Sequence, residues 1–115
     1  MRFKLIVSSV KTDITDSIVD AAKEAGATGA TIIPARGTGS KEAKTFFGLT
    51  LEIQTDIILF LVEEHLVAKI LDRIKEKGKF QKPGTGIAFV LPVEQVVGLE
   101  SQIERFKEEV RDSYF

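Results

Sequence analysis

Leu49-Thr50-Leu51-Glu52-Ile53-Gln54-Thr55-Asp56-Ile57-Ile58-Leu59-Phe60-Leu61-Val62 runs directly into Glu63-Glu64-His65. Leu49, Leu51 and Ile53 alternate with polar residues, and the stretch then turns fully apolar from Ile57 to Val62. That pattern is the longest strand candidate of the chain, with apolar side chains on both of its faces. The glutamates that follow suit the positive end of a helix dipole and predict a helix opening at Glu63-Glu64. Leu66, Ile70 or Leu71, and Ile74 supply its buried stripe, and Gly78 is the expected stop.

Reading outward in both directions gives the remaining elements. Residues 2–10 place Phe3, Leu5 and Val7 on one face of a strand and Ile6 and Val10 on the other. Lys11 to Ala25 takes helical spacing through Ile14, Ile18, Ala21 or Ala22, and Ala25. Asp13 is the expected cap, Asp16 lies near the positive pole, and Gly26 ends the helix. A strand over about 30–36 leads into a loop around Gly37-Thr38-Gly39-Ser40-Lys41, and a last strand is expected from Ile87 to Leu99. Ser101 and Glu104 form a capping box for a tail helix over 101–115 with Ile103, Phe106 or Lys107, and Val110 along one side.

The order β-α-β-β-α-β predicts a single α+β domain over 1–115. Residues 1–100 form a ferredoxin-like core with a four-stranded antiparallel sheet, followed by the C-terminal helix. Both helices cover one sheet face. The other face has no cover within the chain, which predicts oligomerisation with sheets packing on sheets.

Composition removes whole classes of function. The 115 residues hold 16 Lys+Arg against 17 Asp+Glu, a balance that argues against a general nucleic-acid binder. There is no cysteine, so disulfides, thiolate chemistry and cysteine zinc sites are excluded. The single His65 excludes a two-histidine metal site within one chain. The longest apolar run, Ile57 to Val62, falls far short of the ~20 residues that cross a bilayer. A soluble cytoplasmic protein is the expectation.

Catalytic signals fail as well. Gly37-Thr38-Gly39-Ser40-Lys41 lacks the first glycine of a phosphate-binding P-loop and the third glycine of a dinucleotide fingerprint. His65 beside Glu63 and Glu64 reads as a solvated residue. No serine has a partner base, and no carboxylate pair stands at catalytic spacing, so neither catalytic nor metal-ligating residues are assigned. Two features remain. Gly-Thr-Gly occurs at 37–39 and again at 84–86, where successive N–H groups can form an anion nest or simply make turns. Lys75, Lys77, Lys79 and Lys82 form a basic stretch: the first two suit a helix C-terminus, whereas Lys79 and Lys82 lie beyond it and are the better anion contacts.

The chain resembles the P-II signal-transduction family of nitrogen regulators. The resemblance is carried by Gly26-Ala27-Thr28-Gly29-Ala30-Thr31, by Arg36-Gly37-Thr38-Gly39, and by Gly78-Lys79-Phe80 with Gly84-Thr85-Gly86-Ile87-Ala88-Phe89-Val90-Leu91-Pro92-Val93. The last run is similar to the family's Gly-Lys-Ile-Gly-Asp-Gly-Lys-Ile-Phe-Val-x-Pro-Val signature. The resemblance implies a homotrimer of ferredoxin-like subunits that binds adenine nucleotides between subunits and docks onto partner proteins, transporters among them. It implies cleft contacts from Gly37, Gly39, Gly84 and Gly86, pocket positions at Thr31, Phe60 and Thr85, and Thr38 and Ser40 flanking the first glycine turn.

Departures from the family pattern shape the expectation further. The loop after Gly37 is shorter than the family's and lacks its modifiable tyrosine. Thr85 replaces an aspartate, Ile87 replaces the phosphate-binding lysine, and Gly98 and Glu100 align with two phosphate-gripping arginines. Gln81-Lys82-Pro83 is an insertion that brings in Lys82 or closes the cleft. Loss of three cations implies that no cofactor is required and that AMP or ADP is favoured over ATP. The alternatives are a trimeric metal-ion-tolerance protein of related fold without a nucleotide site, and a structural assembly module.

Overall fold

The structure, a computed structural model, describes residues 2–37, 45–46, 49–50 and 53–99. In chain order the elements are β1 (Phe3–Lys11), α1 (Thr15–Glu24), β2 (Thr31–Gly37), β3 (Thr45–Phe46), β4 (Leu49–Thr50), β5 (Ile53–Glu63), α2 (Val67–Gly78) and β6 (Gly86–Pro92). A four-stranded antiparallel sheet runs β2-β5-β1-β6, the ferredoxin-like order, with β1 and β5 central. The short β3 and β4 pair as a separate hairpin that the sequence did not announce. The expected helix over 101–115 lies outside the described residues.

Each helix is reached through the same device. β1 runs into a 3-10 turn at Thr12–Ile14 before α1, and β5 into one at Glu64–Leu66 before α2. Both helices therefore begin later than periodicity suggested. Asp13 does not cap α1: the N-cap is Ile14 and no side chain bonds there, because the 3-10 turn carries Asp13 away from that position. Asp16 does occupy the first turn of α1. Glu63 still belongs to β5, where it opposes Phe3.

Packing follows strand parity. Ile6, Ser8 and Val10 of β1 and Ile58, Phe60 and Val62 of β5 point at the helices and are buried. Ile18 and Ala22 of α1 and Ile70 and Ile74 of α2 meet them, with Ile14, Leu66 and Leu71 at the margin. Burying each large apolar side chain contributes about 1.5–3 kcal/mol. Beneath α1, the Thr15 hydroxyl donates to the buried Asp56 carboxylate at 2.6 Å. This gives the carboxylate a partner in a largely apolar layer.

The opposite face stays open. Cross-strand neighbours there form the rows Ile33–Ile57–Ser9–Ile87, Thr31–Leu59–Val7–Phe89 and Leu61–Leu5–Leu91. Ile87, Phe89 and Leu91 are 59%, 44% and 44% exposed. Among the described residues no element covers this face.

Three strand boundaries differ from expectation, the first being that of β5, which begins at Ile53 and not at Leu49. β6 stops at Pro92, opposite Lys4 and one residue short of the start of β1 at Phe3, and not at Leu99. β2 extends through Gly37, which pairs with Ile53. α2, by contrast, ends at Gly78 as expected, with Gly78 still helical and Lys79 taking the left-handed conformation at φ 54° and ψ 48°. A Cβ on Gly78 would stand 2.3 Å from the Phe80 ring, so this glycine serves close packing and not a positive φ.

Candidate functional site

The loop from Lys79 to Gly86 joins α2 to the edge strand β6 and is tied at several points. The Lys82 N–H donates to the Lys79 carbonyl at 2.9 Å, closing a turn over the exposed Lys82. The Thr85 hydroxyl lies 3.0 Å from the Lys79 carbonyl and 2.9 Å from that of Lys82. Gly84 has φ +78°, which an L side chain rarely adopts. Gly86 is needed for a different reason, since a Cβ there would meet the Phe80 ring at 2.7 Å and the Ser9 carbonyl at 2.9 Å. The edge of the Phe80 ring thus sits between Gly78 and Gly86 and pegs the loop to both flanking elements. Nothing in the sequence flagged this peg.

Of the predicted site residues, Lys79, Lys82, Gly84, Thr85 and Gly86 come together in this loop. Lys79 also lines an open groove of about 550 Å³ between α1 and α2, with Ser17, Asp20, Glu24, Arg73 and Lys77. There Arg73 donates to Glu24 at 2.9 Å, an exposed pair of small energetic weight. Thr31 and Gly37 stand at opposite ends of β2, both exposed. Thr31 joins the open face beside Leu59. Thr38, Gly39 and Ser40 lie outside the described residues.

Phe60 is the correction. It is 0% exposed beneath the helices, opposite Ile6, and offers no atom to a cleft. The apolar run 57–62 gave no indication of which alternate residues face inward.

Topology decides how the two glycine segments relate. Gly37 and Gly86 lie at the same end of the sheet, since Gly37 opposes Ile53 on β5 and Gly86 opposes Val10 on β1, which itself opposes Asp56. They occupy opposite edges, however, three strand spacings or roughly 14 Å apart across β5 and β1. Ile87 follows Gly86 directly and projects from the open face at the corner nearest this loop.

His65 is exposed and sits 3.4 Å from Glu63 in the 3-10 turn. Among the described residues no group of three or more His, Asp or Glu side chains is placed to hold a metal ion. No helix among them is long and apolar enough to cross a membrane.

Comparison with known proteins places the chain. It matches the nitrogen regulatory protein P-II family over residues 3–102. It is similar to the crystal structure of a putative PII-like signaling protein from Thermus thermophilus, with 28% identity and a TM-score of 0.61. That match covers 81% of this chain and 87% of the other. No curated protein matches it.

Proposed function

Because the chain belongs to the nitrogen regulatory protein P-II family, a family of signal-transduction regulators and not enzymes, we propose that it is a cytoplasmic, trimeric sensor of a small anionic ligand. The ligand sits in clefts between subunits, and its occupancy controls a partner protein such as a transporter or metabolic enzyme. One observation carries this reading: Gly37 and Gly86 share one end of the sheet but lie on opposite edges. A cleft that uses both needs the β2 edge of one copy beside the β6 edge of the next. The open apolar face supports the assembly that would bring them there, since leaving it in water forfeits about 1.5–3 kcal/mol for each large side chain.

The charge inventory supports an adenine nucleotide with few phosphates. Ile87 is apolar where the family resemblance implies a lysine, and Lys82 is the cation nearest the glycine turn in sequence. A monophosphate carries about two negative charges, which one ammonium and several backbone N–H groups can balance. A triphosphate asks for more. Titration calorimetry against AMP, ADP and ATP tests the reading. Saturable binding that weakens from AMP or ADP to ATP is expected, whereas tight ATP binding indifferent to Lys82→Ala contradicts it.

A further inference from the structure

Thr85 stands where a ligand contact is expected, yet its hydroxyl is turned to the loop's own backbone. Its single hydrogen is shared between the Lys79 and Lys82 carbonyls, at 3.0 and 2.9 Å. We propose that Thr85 is a positioning residue, acting through the loop and not by contact, for a phosphoryl-sized anion held by Lys82 and the Gly84–Gly86 backbone. The proposal rests on the anion-binding reading above and deepens it.

The loop's construction supports this role. Lys79 holds a left-handed conformation, φ 54° and ψ 48°, which costs a non-glycine residue energy and persists only where neighbouring contacts enforce it. Its carbonyl accepts both the Lys82 N–H and the Thr85 hydroxyl. Pro83 then confines Lys82 to extended backbone, and Gly84 reverses the chain at φ +78°. Phe80, wedged between Gly78 and Gly86, anchors the other side. Thr85 is therefore the side chain that joins the lysine turn to the glycine turn. With that tie in place, Lys82 and the glycine backbone are held together before any ligand arrives, which reduces the ordering cost of binding. Without it, the two carbonyls lose a common donor and the lysine turn can drift from the glycines.

Calorimetry with inorganic phosphate and with AMP, on wild type, Thr85→Val, Thr85→Ser and Lys82→Ala, tests the assignment. Thr85→Val keeps the branched shape without the hydroxyl and should weaken phosphate about three- to tenfold, the range of one hydrogen bond. Thr85→Ser should restore binding, and Thr85→Val added to Lys82→Ala should cost little more than Lys82→Ala alone, since one acts through the other. Thr85→Ala serves as the second variant if valine disturbs folding, judged by the melting temperature. The inference is overturned if Thr85→Val and Thr85→Ala bind phosphate like wild type, if serine fails to rescue, if Lys82→Ala has no effect, or if wild type binds no phosphate. The nucleotide reading fails separately: AMP that binds no tighter than phosphate removes adenine recognition and leaves the role of Thr85 standing.

Discussion

The two faces of the sheet carry nearly the same side chains and lead opposite lives. On the helix side, Ile6, Ile58 and Phe60 have no exposure; on the other, Ile87 and Phe89 are 59% and 44% exposed. Both sets come from neighbouring strands of one sheet, the first from β1 and β5 and the second from β6, so hydrophobicity alone does not distinguish them. The difference lies in what the chain itself supplies. Two helices cover the centre of one face, whereas no described element covers the second, which is suited to a surface of similar character such as another copy offers. The polar groups mark the same contrast from inside: Asp56 and Ser8 sit on the covered face, one with a partner and one without.

Substitution on each face should separate fold from assembly. Phe60→Ala empties a fully packed site and should cost about 3–5 kcal/mol, lowering the melting temperature by well over about 10 °C for a domain of this size. Phe89→Asp, an equally harsh change on the open face, should leave the far-ultraviolet circular dichroism intact while sedimentation shows loss of the trimer. If Phe89→Asp unfolds the chain and leaves any assembly untouched, the assignment of the faces is wrong.

Smaller effects sharpen the contrast. Thr15→Val removes the donor to Asp56 and leaves a buried carboxylate without it, so about 1–3 kcal/mol should be lost in denaturant unfolding. Among the edge glycines, Gly86→Ala drives a Cβ to 2.9 Å from the Ser9 carbonyl and should cost about 1–3 kcal/mol. Gly37→Ala meets, among the described residues, only Thr55 at 3.9 Å and should stay within about 0.5 kcal/mol of wild type. Ser8→Ala removes a buried hydroxyl that has no hydrogen-bond partner and should be neutral or stabilising by up to about 1 kcal/mol. Equal melting temperatures for Gly37→Ala and Gly86→Ala would show that the packing of Phe80 between its glycines does not constrain the loop.

The order of elements was legible because period-2 and period-3.6 patterns meet at sharp breaks such as Gly26. Phe60 was not, because a run of six apolar residues from Ile57 to Val62 erases the alternation that assigns faces. The glycine turn at 84–86 was read for conformational freedom. Only Gly84 uses it, while Gly86 is required by the approach of Phe80 and Ser9, long-range contacts that no local motif encodes. Gly78 does end α2 as its position suggests, but the left-handed backbone falls on Lys79, which no local motif encodes. The link from Thr15 to Asp56 joins residues 41 apart in sequence, beyond the reach of any periodicity.

Native mass spectrometry of the protein with AMP examines assembly and ligand together. The account predicts trimers that take up AMP in steps to three per assembly, with none retained on dissociated monomers, because each cleft needs two copies. A monomeric protein, or AMP held by the monomer as well as by the trimer, would contradict it.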